Sequence, residues 1–366
     1  MKINYVSLDK QSKDQSQNLL KIFKSCLDKS IFVNGDEVNK FEKKVSKKCG
    51  TKYAVALNSG TDALTLALKL LGIKKGDEVI TPPNSFISST SSIIHLGAKP
   101  VFVDVSNDQN IDPYKIEKKI TKKTKAIMPV HLTGRICEMN KIMNISKKYK
   151  IPVIEDAAQS IGSRYYNKPA GSIGDIGCFS THPLKNLNAC GDGGFLTTNK
   201  KKFYILAKSL QNNGMLGRNK VKCFGYLSRM DVLQASILNF RLSKLDQVIK
   251  KRRSNFQTYK KLLDNKNIFF PIEKDYQFNT YHTFVIQVDK KNKLKEFLKK
   301  KGIGTSIHYP IPIHLQPAAK FLKYKKGDFP ITEKQSNKIL SLPIHQDLKK
   351  YEILYICKAI HQFFKS

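Results

Sequence analysis

The sequence is poor in the features that mark membrane, secreted and metal-binding proteins. No apolar run approaches the roughly 18 residues that a membrane-spanning helix needs. The chain begins with MKINYVSLDK, which has none of the apolar core of a signal peptide. None of the seven cysteines belongs to a CxxC pair, so their spacing indicates neither a zinc site nor a disulfide framework. These absences predict a cytoplasmic protein with reduced thiols and without a metal.

Acidic residues are also scarce, and the formal net charge is +36. Clustered positive charge would indicate nucleic-acid binding, because lysine and arginine release counterions from phosphate backbones. Arginine is rare, however, and the lysines are scattered through helix-like segments such as Lys295–Lys301. This pattern favours a solvated surface whose field attracts small anionic substrates. Nucleic-acid binding is the alternative, and it requires the lysines to gather on one face of the fold.

Apolar runs alternate with helical stretches through the first two-thirds of the chain. A length of 366 residues with 40% hydrophobic residues fits one large domain and a smaller one. The alternation is typical of βα units in a mostly parallel sheet. We therefore predict an N-terminal segment over 1–34, a large α/β domain over 35–240 and a small α+β domain over 241–366.

The same patterns predict individual elements. In the large domain, predicted strands cover Tyr53–Leu57, Glu78–Thr81, Pro100–Val105, Ala126–His131 and Pro152–Asp156. Predicted helices cover Asp62–Leu71, Glu138–Lys148 and Met230–Lys251. The small domain is expected to contain a strand at Thr283–Val288 and helices at 292–301 and 348–364.

The first candidate binding motif is Asn58–Leu64, where a predicted strand turns into a helix. Backbone N–H groups at a helix N-terminus, a glycine and the hydroxyl of Thr61 suit a bound phosphate. A plain helix cap explains the same Ser-Gly-Thr-Asp letters equally well. The motif alone therefore leaves both interpretations open.

A second candidate is Asp156, which ends a buried strand at the edge where open α/β sheets bind ligands. An unpaired buried carboxylate is costly, so it needs a cationic partner. A protonated pyridine nitrogen is such a partner. A capping aspartate at a strand–helix corner is the alternative.

A third candidate is Lys185, in a stretch of small residues and glycines over Gly177–Gly194. A lysine in such a place can be desolvated, which lowers its pKa and makes its amine nucleophilic enough for a Schiff base. The alternative is a lysine in a surface loop, followed by an ordinary tight turn.

Together these motifs resemble the DegT/StrS family of sugar aminotransferases. The order and spacing match over nearly the whole chain, from about residue 30 onward. The matching segments are Asn58–Leu64, Ile80–Phe86, Gly97–Asp104, Ile154–Gln159, Phe179–Leu187, Gly191–Gly194, Arg229–Ala235 and Ile307–Pro317. The resemblance implies fold type I of the enzymes that use pyridoxal phosphate (PLP), an aspartate-aminotransferase-like α/β fold. That fold has a mostly parallel seven-stranded sheet in the large domain and a small α+β domain.

The resemblance also implies a role for each matching residue. Lys185 would hold PLP covalently, and Asp156 would keep the pyridine nitrogen protonated so that the ring accepts electrons. Phe86 would stack on the ring, with a core aromatic as the alternative, and Gln159 would lie beside the phenolic oxygen. Phosphate binding is implied for Gly60, Thr61, Asp62 and Ser180.

Residues that bind the sugar nucleotide are implied in two late segments. His308, Tyr309 and His314 resemble part of the substrate entrance, and Arg229 is expected to bind substrate as well. Core or turn residues between the two domains explain the histidine-rich segment equally well. His182, near the lysine, is expected to shape the pocket rather than to transfer protons.

The implied activity is transamination of a nucleotide-linked keto sugar, with L-glutamate as donor and 2-oxoglutarate as by-product. The letters around Asp62 and the segment His131–Arg135 favour a dTDP- or UDP-linked 3-keto sugar over a 4-keto sugar. A homodimer with shared active sites is implied, and O-antigen, capsule or a glycosylated metabolite are the expected products of the pathway. Family dehydratases replace the lysine with histidine, so Lys185 argues against them. A non-catalytic regulator that keeps the fold is the remaining alternative.

One departure from the family pattern concerns the contact across the dimer. Relatives usually have Gly-Tyr-Asn before the Arg-Met-Asp letters, and that asparagine reaches the partner's cofactor phosphate. Here Leu227 occupies its place and cannot donate a hydrogen bond. We expect Ser228 or a water to substitute, or the cofactor to be held less tightly.

Overall fold

A computed structural model describes residues 1–217, 219–263 and 266–365. The strands are β1 (Tyr53–Leu57), β2 (Glu78–Thr81), β3 (Lys99–Phe102), β4 (Thr124–Ile127), β5 (Ile154–Asp156), β6 (Arg164–Tyr165), β7 (Lys168–Pro169), β8 (Ile176–Ser180), β9 (Gly194–Thr198), β10 (Gln277–Phe278), β11 (Phe284–Gln287) and β12 (Ile339–Leu342). The helices are α1 (Leu8–Lys29), α2 (Asp36–Lys48), α3 (Gly60–Leu70), α4 (Ser88–His95), α5 (Pro113–Ile116), α6 (Met139–Tyr149), α7 (Lys201–Leu210), α8 (Val232–Leu242), α9 (Leu245–Leu262), α10 (Lys291–Lys300), α11 (Pro330–Ser336) and α12 (Lys350–Lys365).

The main strands of the large domain form two adjoining sheets. One has the order β1-β9-β8-β5, in which only the β5–β8 pair is parallel, and the other is the parallel sheet β3-β2-β4. Isolated parallel bridges, Ile127 with Val153 and Val130 with Asp156, join β4 to β5. Pro129 and Pro152 lie at this junction and cannot donate to a ladder, so pairing stays discontinuous there. The predicted single sheet of seven mostly parallel strands is therefore not confirmed.

Several predicted elements have different limits in the structure, and two of them show the physical reason. The strand predicted over Ala126–His131 is β4, which starts at Thr124 and ends at Ile127, before Pro129 interrupts the ladder. The long helix predicted over Met230–Lys251 is two helices, because the chain turns at Ser243 and Lys244. As a result α8 packs against α1 and α2, whereas α9 runs on to pack against α12.

Helix α9 belongs to two hydrophobic cores, one in the large domain and one in the small domain. Leu245 and Ile249 pack into a core of the large domain, whereas Phe256 and Tyr259 pack into the core of the small domain. The antiparallel pair β11–β12, with α10 and α12, forms the rest of the small core. Ile3 is buried in that core too, whereas α1 packs against α8 and its Cys26 lies in the core of the large domain, so the N-terminal segment is divided between the two. The predicted boundary at 240 falls inside α8.

The described ranges contain neither a membrane-spanning helix nor a metal cluster. No helix in them is both long and apolar enough to cross a membrane. No group of three or more His, Cys, Asp or Glu side chains in them could hold a metal ion.

Candidate active site

A cavity of about 440 Å³ lies between the two domains. The large domain lines it at the β1–α3 turn, at the end of β5 and in the loop after β8. The small domain lines it at residues 282–283, 308–309 and 344–345, and the N-terminal segment contributes Tyr5 and Val6. An apolar hollow with a few convergent polar groups is typical of a small-molecule site.

Lys185 reaches this cavity from the loop after β8. Its backbone N–H donates to the carbonyl of His182 (2.8 Å), and the N–H of Ala189 donates to the carbonyl of Thr181 (2.7 Å). These bonds close the loop on itself. A Cβ at Gly193 would lie 2.3 Å from the hydroxyl oxygen of Thr181, so the turn after the lysine needs a glycine there.

The amine of Lys185 is surrounded by protein, which lowers its pKa to about 8 through desolvation. The negative charge of Asp156 partly opposes this shift. More of the amine is uncharged near neutral pH than in an ordinary lysine, and only the uncharged amine is a nucleophile. The structure thus supports the reactive lysine that the sequence predicts.

Asp156 faces the same cavity from the carboxyl end of β5. Ser89 Oγ donates to its Oδ2 (2.7 Å), and the N–H of Ala158 donates to its Oδ1 (3.2 Å). Burial raises the pKa of this carboxyl, while the two hydrogen bonds and the charge of Lys185 act in the opposite direction. Within the described ranges the carboxylate has no ion-pair partner at contact distance. The protonated ring nitrogen of PLP would supply one, so this residue fits the cofactor.

The adjacent carboxylate, Glu155, is satisfied inside the protein instead. It accepts hydrogen bonds of 2.6–2.9 Å from the backbone N–H groups of Gly171, Ile173 and Gly174. His131 Nε2 lies 2.9 Å from its Oε2. Because His131 Nδ1 accepts from the N–H of Cys137 (3.3 Å), Nε2 carries the hydrogen and donates to Glu155. Successive strand residues point to opposite faces of the sheet. Glu155 therefore binds the segment Gly171–Gly174 inside the protein, whereas Asp156 faces the cavity.

Three of the four residues predicted to bind phosphate line the cavity at or beside the N-terminus of α3. Ser59 caps this helix by accepting from the N–H of Asp62 (3.0 Å). The first N–H groups of a helix lack intrahelical partners and favour an anion. Gly60, Thr61 and Ser180 all line the cavity. A Cβ at Gly60 would lie 2.6 Å from the Cβ of Ser180, so only glycine lets these two segments meet.

Asp62, the remaining predicted phosphate contact, turns away from the cavity. Its carboxylate accepts a hydrogen bond from Ser228 Oγ (2.7 Å). Ser228 is therefore held within its own chain beside α3, whereas the side chain of Leu227 is exposed. The expectation that Ser228 replaces the usual asparagine across a dimer has no support in this geometry.

Gln159, Tyr309 and Phe86 lie together on one side of the cavity. Gln159 Oε1 accepts from the N–H of Thr133 (2.8 Å), and its Nε2 donates to the hydroxyl of Tyr309 (3.3 Å). These bonds hold the amide in one orientation. Phe86 lies 6.1 Å from the Tyr309 ring between centroids and is 57% exposed, so it is not a core aromatic.

The predicted substrate residues separate into two groups. His308 and Tyr309 line the cavity. His314 does not, because it is buried against Phe329 with its Nε2 3.0 Å from Glu333 Oε1. Arg229 also lies outside, in a depression beside α2 where it donates to Asn212 (3.4 Å).

Other cavity residues escape prediction from the sequence. Besides Tyr5 and Ser89, they include Arg252, His282 and His345. None belongs to a motif with chemical meaning, and Arg252 follows a helical pattern in which a surface position is the ordinary expectation. No local signal in the sequence marks them.

A lysine with a lowered pKa and a buried aspartate face one cavity, next to a helix N-terminus suited to phosphate, and this arrangement is typical of a PLP-dependent enzyme. Residues 13–361 match the DegT/DnrJ/EryC1/StrS aminotransferase family, and the chain belongs to that family. The predicted family, the PLP cofactor and the class of sugar aminotransferase are thereby confirmed.

The individual relatives include a nucleotide-sugar transaminase and a protein named as a regulator. The chain is 38% identical to dTDP-3-amino-3,6-dideoxy-alpha-D-galactopyranose transaminase of Aneurinibacillus thermoaerophilus, over 92% of this chain and 93% of that protein. It is 36% identical to a pleiotropic regulatory protein of Geobacillus stearothermophilus, over 100% and 99% of the two chains. The crystal structure of S. venezuelae DesV superposes with a TM-score of 0.97 at 32% identity, over 100% and 99%. The fold is therefore that of these aminotransferases, consistent with PLP fold type I.

Proposed function

We propose that this protein transfers an amino group from L-glutamate to the 3-keto position of a dTDP- or UDP-linked sugar. One observation carries the proposal: the amine of Lys185, with a pKa of about 8, and the buried carboxylate of Asp156 face the same cavity. A nucleophilic amine and an acid for a ring nitrogen are the two groups that PLP chemistry takes from a protein.

In this proposal, each cavity residue has a defined task. When bound, PLP supplies an electron sink for the charge that develops on a substrate carbon. Asp156 holds the proton on the ring nitrogen. Lys185 Nζ would take a proton from the carbon that bears the amino group and deliver it to the cofactor carbon bonded to the same nitrogen. The first N–H groups of α3, with the hydroxyls of Thr61 and Ser180, hold the phosphate.

The other side of the site is assigned to orientation. Phe86 would cover one face of the cofactor ring, because its own ring is exposed toward the cavity. Gln159 would donate to the phenolic oxygen with a hydrogen that does not go to Tyr309. His308 and Tyr309 would contact the sugar.

The position of amination and the dimer rest on separate support. A close relative is named for a 3-amino sugar, which favours the 3-keto position over the 4-keto position. Arg229 and Leu227 lie away from the cavity of their own chain, on a surface that a second copy could cover. We therefore assign them to the partner's site in a homodimer.

A relative named as a regulatory protein makes a non-catalytic role the second candidate. Such a protein would not need a reactive amine, yet Lys185 has a lowered pKa and faces Asp156. The complete catalytic pair favours the enzyme.

The test is a panel of dTDP- and UDP-linked 3-keto and 4-keto sugars, incubated with purified protein, PLP and L-glutamate. We expect amination of a 3-keto sugar, detected by mass spectrometry and placed by NMR, and loss of product in Lys185→Ala. Lys299→Ala, on the exposed face of α10, is the matched control and should be fully active. A protein that takes up PLP but aminates no member of the panel would favour the regulator.

A further inference from the structure

Arg252 is a buried cation at the small-domain side of the cavity. Only 7% of the residue is exposed, although it lines the cavity and also a smaller pocket that shares Lys185 with it. Desolvation lowers its pKa to about 10, so the guanidinium remains charged at neutral pH. Taking such a charge out of water costs free energy that an anionic partner normally offsets.

Among the residues that the structure describes, only neutral acceptors bind this guanidinium. Its Nη1 donates to the backbone carbonyls of Tyr281 (3.2 Å) and His282 (3.1 Å), and its Nη2 donates to Gln346 Oε1 (3.3 Å). No carboxylate lies within ion-pair distance among the described residues; Asp347 acts on it only from farther away. Its Nε has no hydrogen-bond partner in the described part of the chain.

Two histidines that line the cavity with Arg252 also have a ring nitrogen without a hydrogen-bond partner in the described ranges. His282 and His345 both line the cavity, and the Nδ1 of each is buried without a partner in the described ranges. Burial lowers the pKa of both imidazoles, and the positive charge of Arg252 contributes. Both therefore stay neutral. Buried polar groups are nearly always paired, so several unpaired ones at one end of a cavity indicate a bound polar ligand.

We propose that Arg252 is the binding site for a carboxylate of the amino donor, with His282 and His345 as its neutral neighbours. The inference rests on the proposed function and specifies how that site holds its amino acid. A two-substrate transamination needs one cavity to hold an amino acid and a sugar in turn. Arg252 lines the same pockets as Lys185, so it can form an ion pair with the carboxylate of an amino acid held there. The sugar ring that enters in turn is uncharged, because the charge of that substrate lies on its diphosphate.

The test compares Arg252→Met with Arg253→Met. Arg253 is the next residue on α9 and pairs with Glu273 outside the cavity, so it controls for the loss of a partly buried arginine. The probe is glutarate, an unreactive dicarboxylate, titrated into the PLP-loaded protein by calorimetry. We expect Arg252→Met to weaken glutarate binding by about 10- to 100-fold, the loss typical of a charge-assisted hydrogen bond, and Arg253→Met to leave it unchanged.

A kinetic comparison separates binding from folding. In Arg252→Met the KM for L-glutamate should rise by a similar factor, while the KM for the keto sugar stays within about two-fold. Arg252→Lys should recover part of the loss, because it keeps the charge but not the planar geometry. Equal losses for both substrates, or unchanged glutarate binding, would overturn the assignment. A wild-type protein that aminates no sugar would count against the proposed function, whereas glutarate titration would still decide the role of Arg252.

Discussion

The two walls of the cavity are built in different ways. On the large-domain wall, Gly60, Asp156, Ser180 and Lys185 come from short motifs at the ends of strands β1, β5 and β8. The opposite wall contains Tyr5, Arg252 and residues from the segments 282–283, 308–309 and 344–345. Together these residues come from positions 5 to 345, almost the whole length of the chain. In the proposed function, the first wall carries the groups for covalent and proton chemistry, and the second carries the groups for recognition.

In the proposed function, contiguous motifs supply the reacting groups, and residues from distant segments supply the groups that select the substrate. A strand end places its following residues at one edge of a sheet, so a contiguous motif can define a reacting centre. Recognition requires a surface that closes around the substrate. In this chain that surface belongs to the small domain, which has its own core and is joined to the large domain by α9. Substitutions on the first wall should therefore lower the chemical rate, and those on the second should mainly change substrate affinity.

Lys185→Arg tests the chemical wall most severely. Arginine keeps a positive charge opposite Asp156, but its guanidinium does not lose its proton in a protein. We expect turnover to fall by at least about 100- to 10,000-fold, with the folded state retained. Turnover of the keto sugar and circular dichroism measure the two effects. Substantial residual turnover would show that the charge at this position, rather than a neutral amine, is what the site uses.

The adjacent carboxylates give the next largest contrast. Asp156→Asn keeps an acceptor for Ser89 or Ala158 but cannot hold a proton on a ring nitrogen, so the reaction with glutamate should slow by about 100-fold at nearly unchanged stability. Stopped-flow absorbance of the bound cofactor measures that rate.

Glu155→Gln is the counterpart. Either orientation of the new amide points an NH2 group at backbone N–H donors or at His131, so we expect a loss of about 3 kcal/mol in the free energy of unfolding. Urea denaturation measures it. If the two variants exchanged these effects, the assignment of one carboxylate to the cavity and one to the sheet would fail.

On the recognition wall, His308→Ala and His314→Ala should differ. His308 lines the cavity, so its loss should raise the KM for the keto sugar by about ten-fold at a similar kcat. His314 contacts Glu333 in a separate buried cluster, so its loss should leave KM unchanged and lower only the melting temperature. A ten-fold rise in KM for His314→Ala would restore it to the substrate entrance.

The smallest expected effect is a change with pH in the rate at which the apoprotein takes up PLP. Below a pH of about 8 the Lys185 amine is protonated and cannot attack the cofactor aldehyde, so uptake of PLP by the apoprotein should speed up as pH rises and level off above 8. Asp156→Asn removes the charge that raises this pKa, so the midpoint should move to lower pH. Absorbance changes recorded over a pH series test both statements. A midpoint near the ordinary lysine value of 10.5 would contradict them.

Prediction from the sequence was accurate for local features and weaker for distant ones. Strand β1 has the predicted limits, and helix α3 starts two residues before the predicted one. Lys185 and Asp156, which a motif each predicts, both line the cavity. His314 was placed with His308 because the two share a segment, yet the 3-10 turn Ile313–Leu315 takes His314 into a separate buried cluster.

The sequence by itself determined the family and the cofactor, because matching segments follow one another along most of the chain. It predicts the reacting centre from two short motifs, around Asp156 and Lys185. Only the tertiary structure decided that Glu155 is satisfied by backbone N–H groups inside the protein, and that Arg252 is buried without an ion-pair partner at contact distance in the described residues. The physical reason is that burial and charge pairing depend on what other segments place around a side chain. Local sequence contains no information about that surrounding.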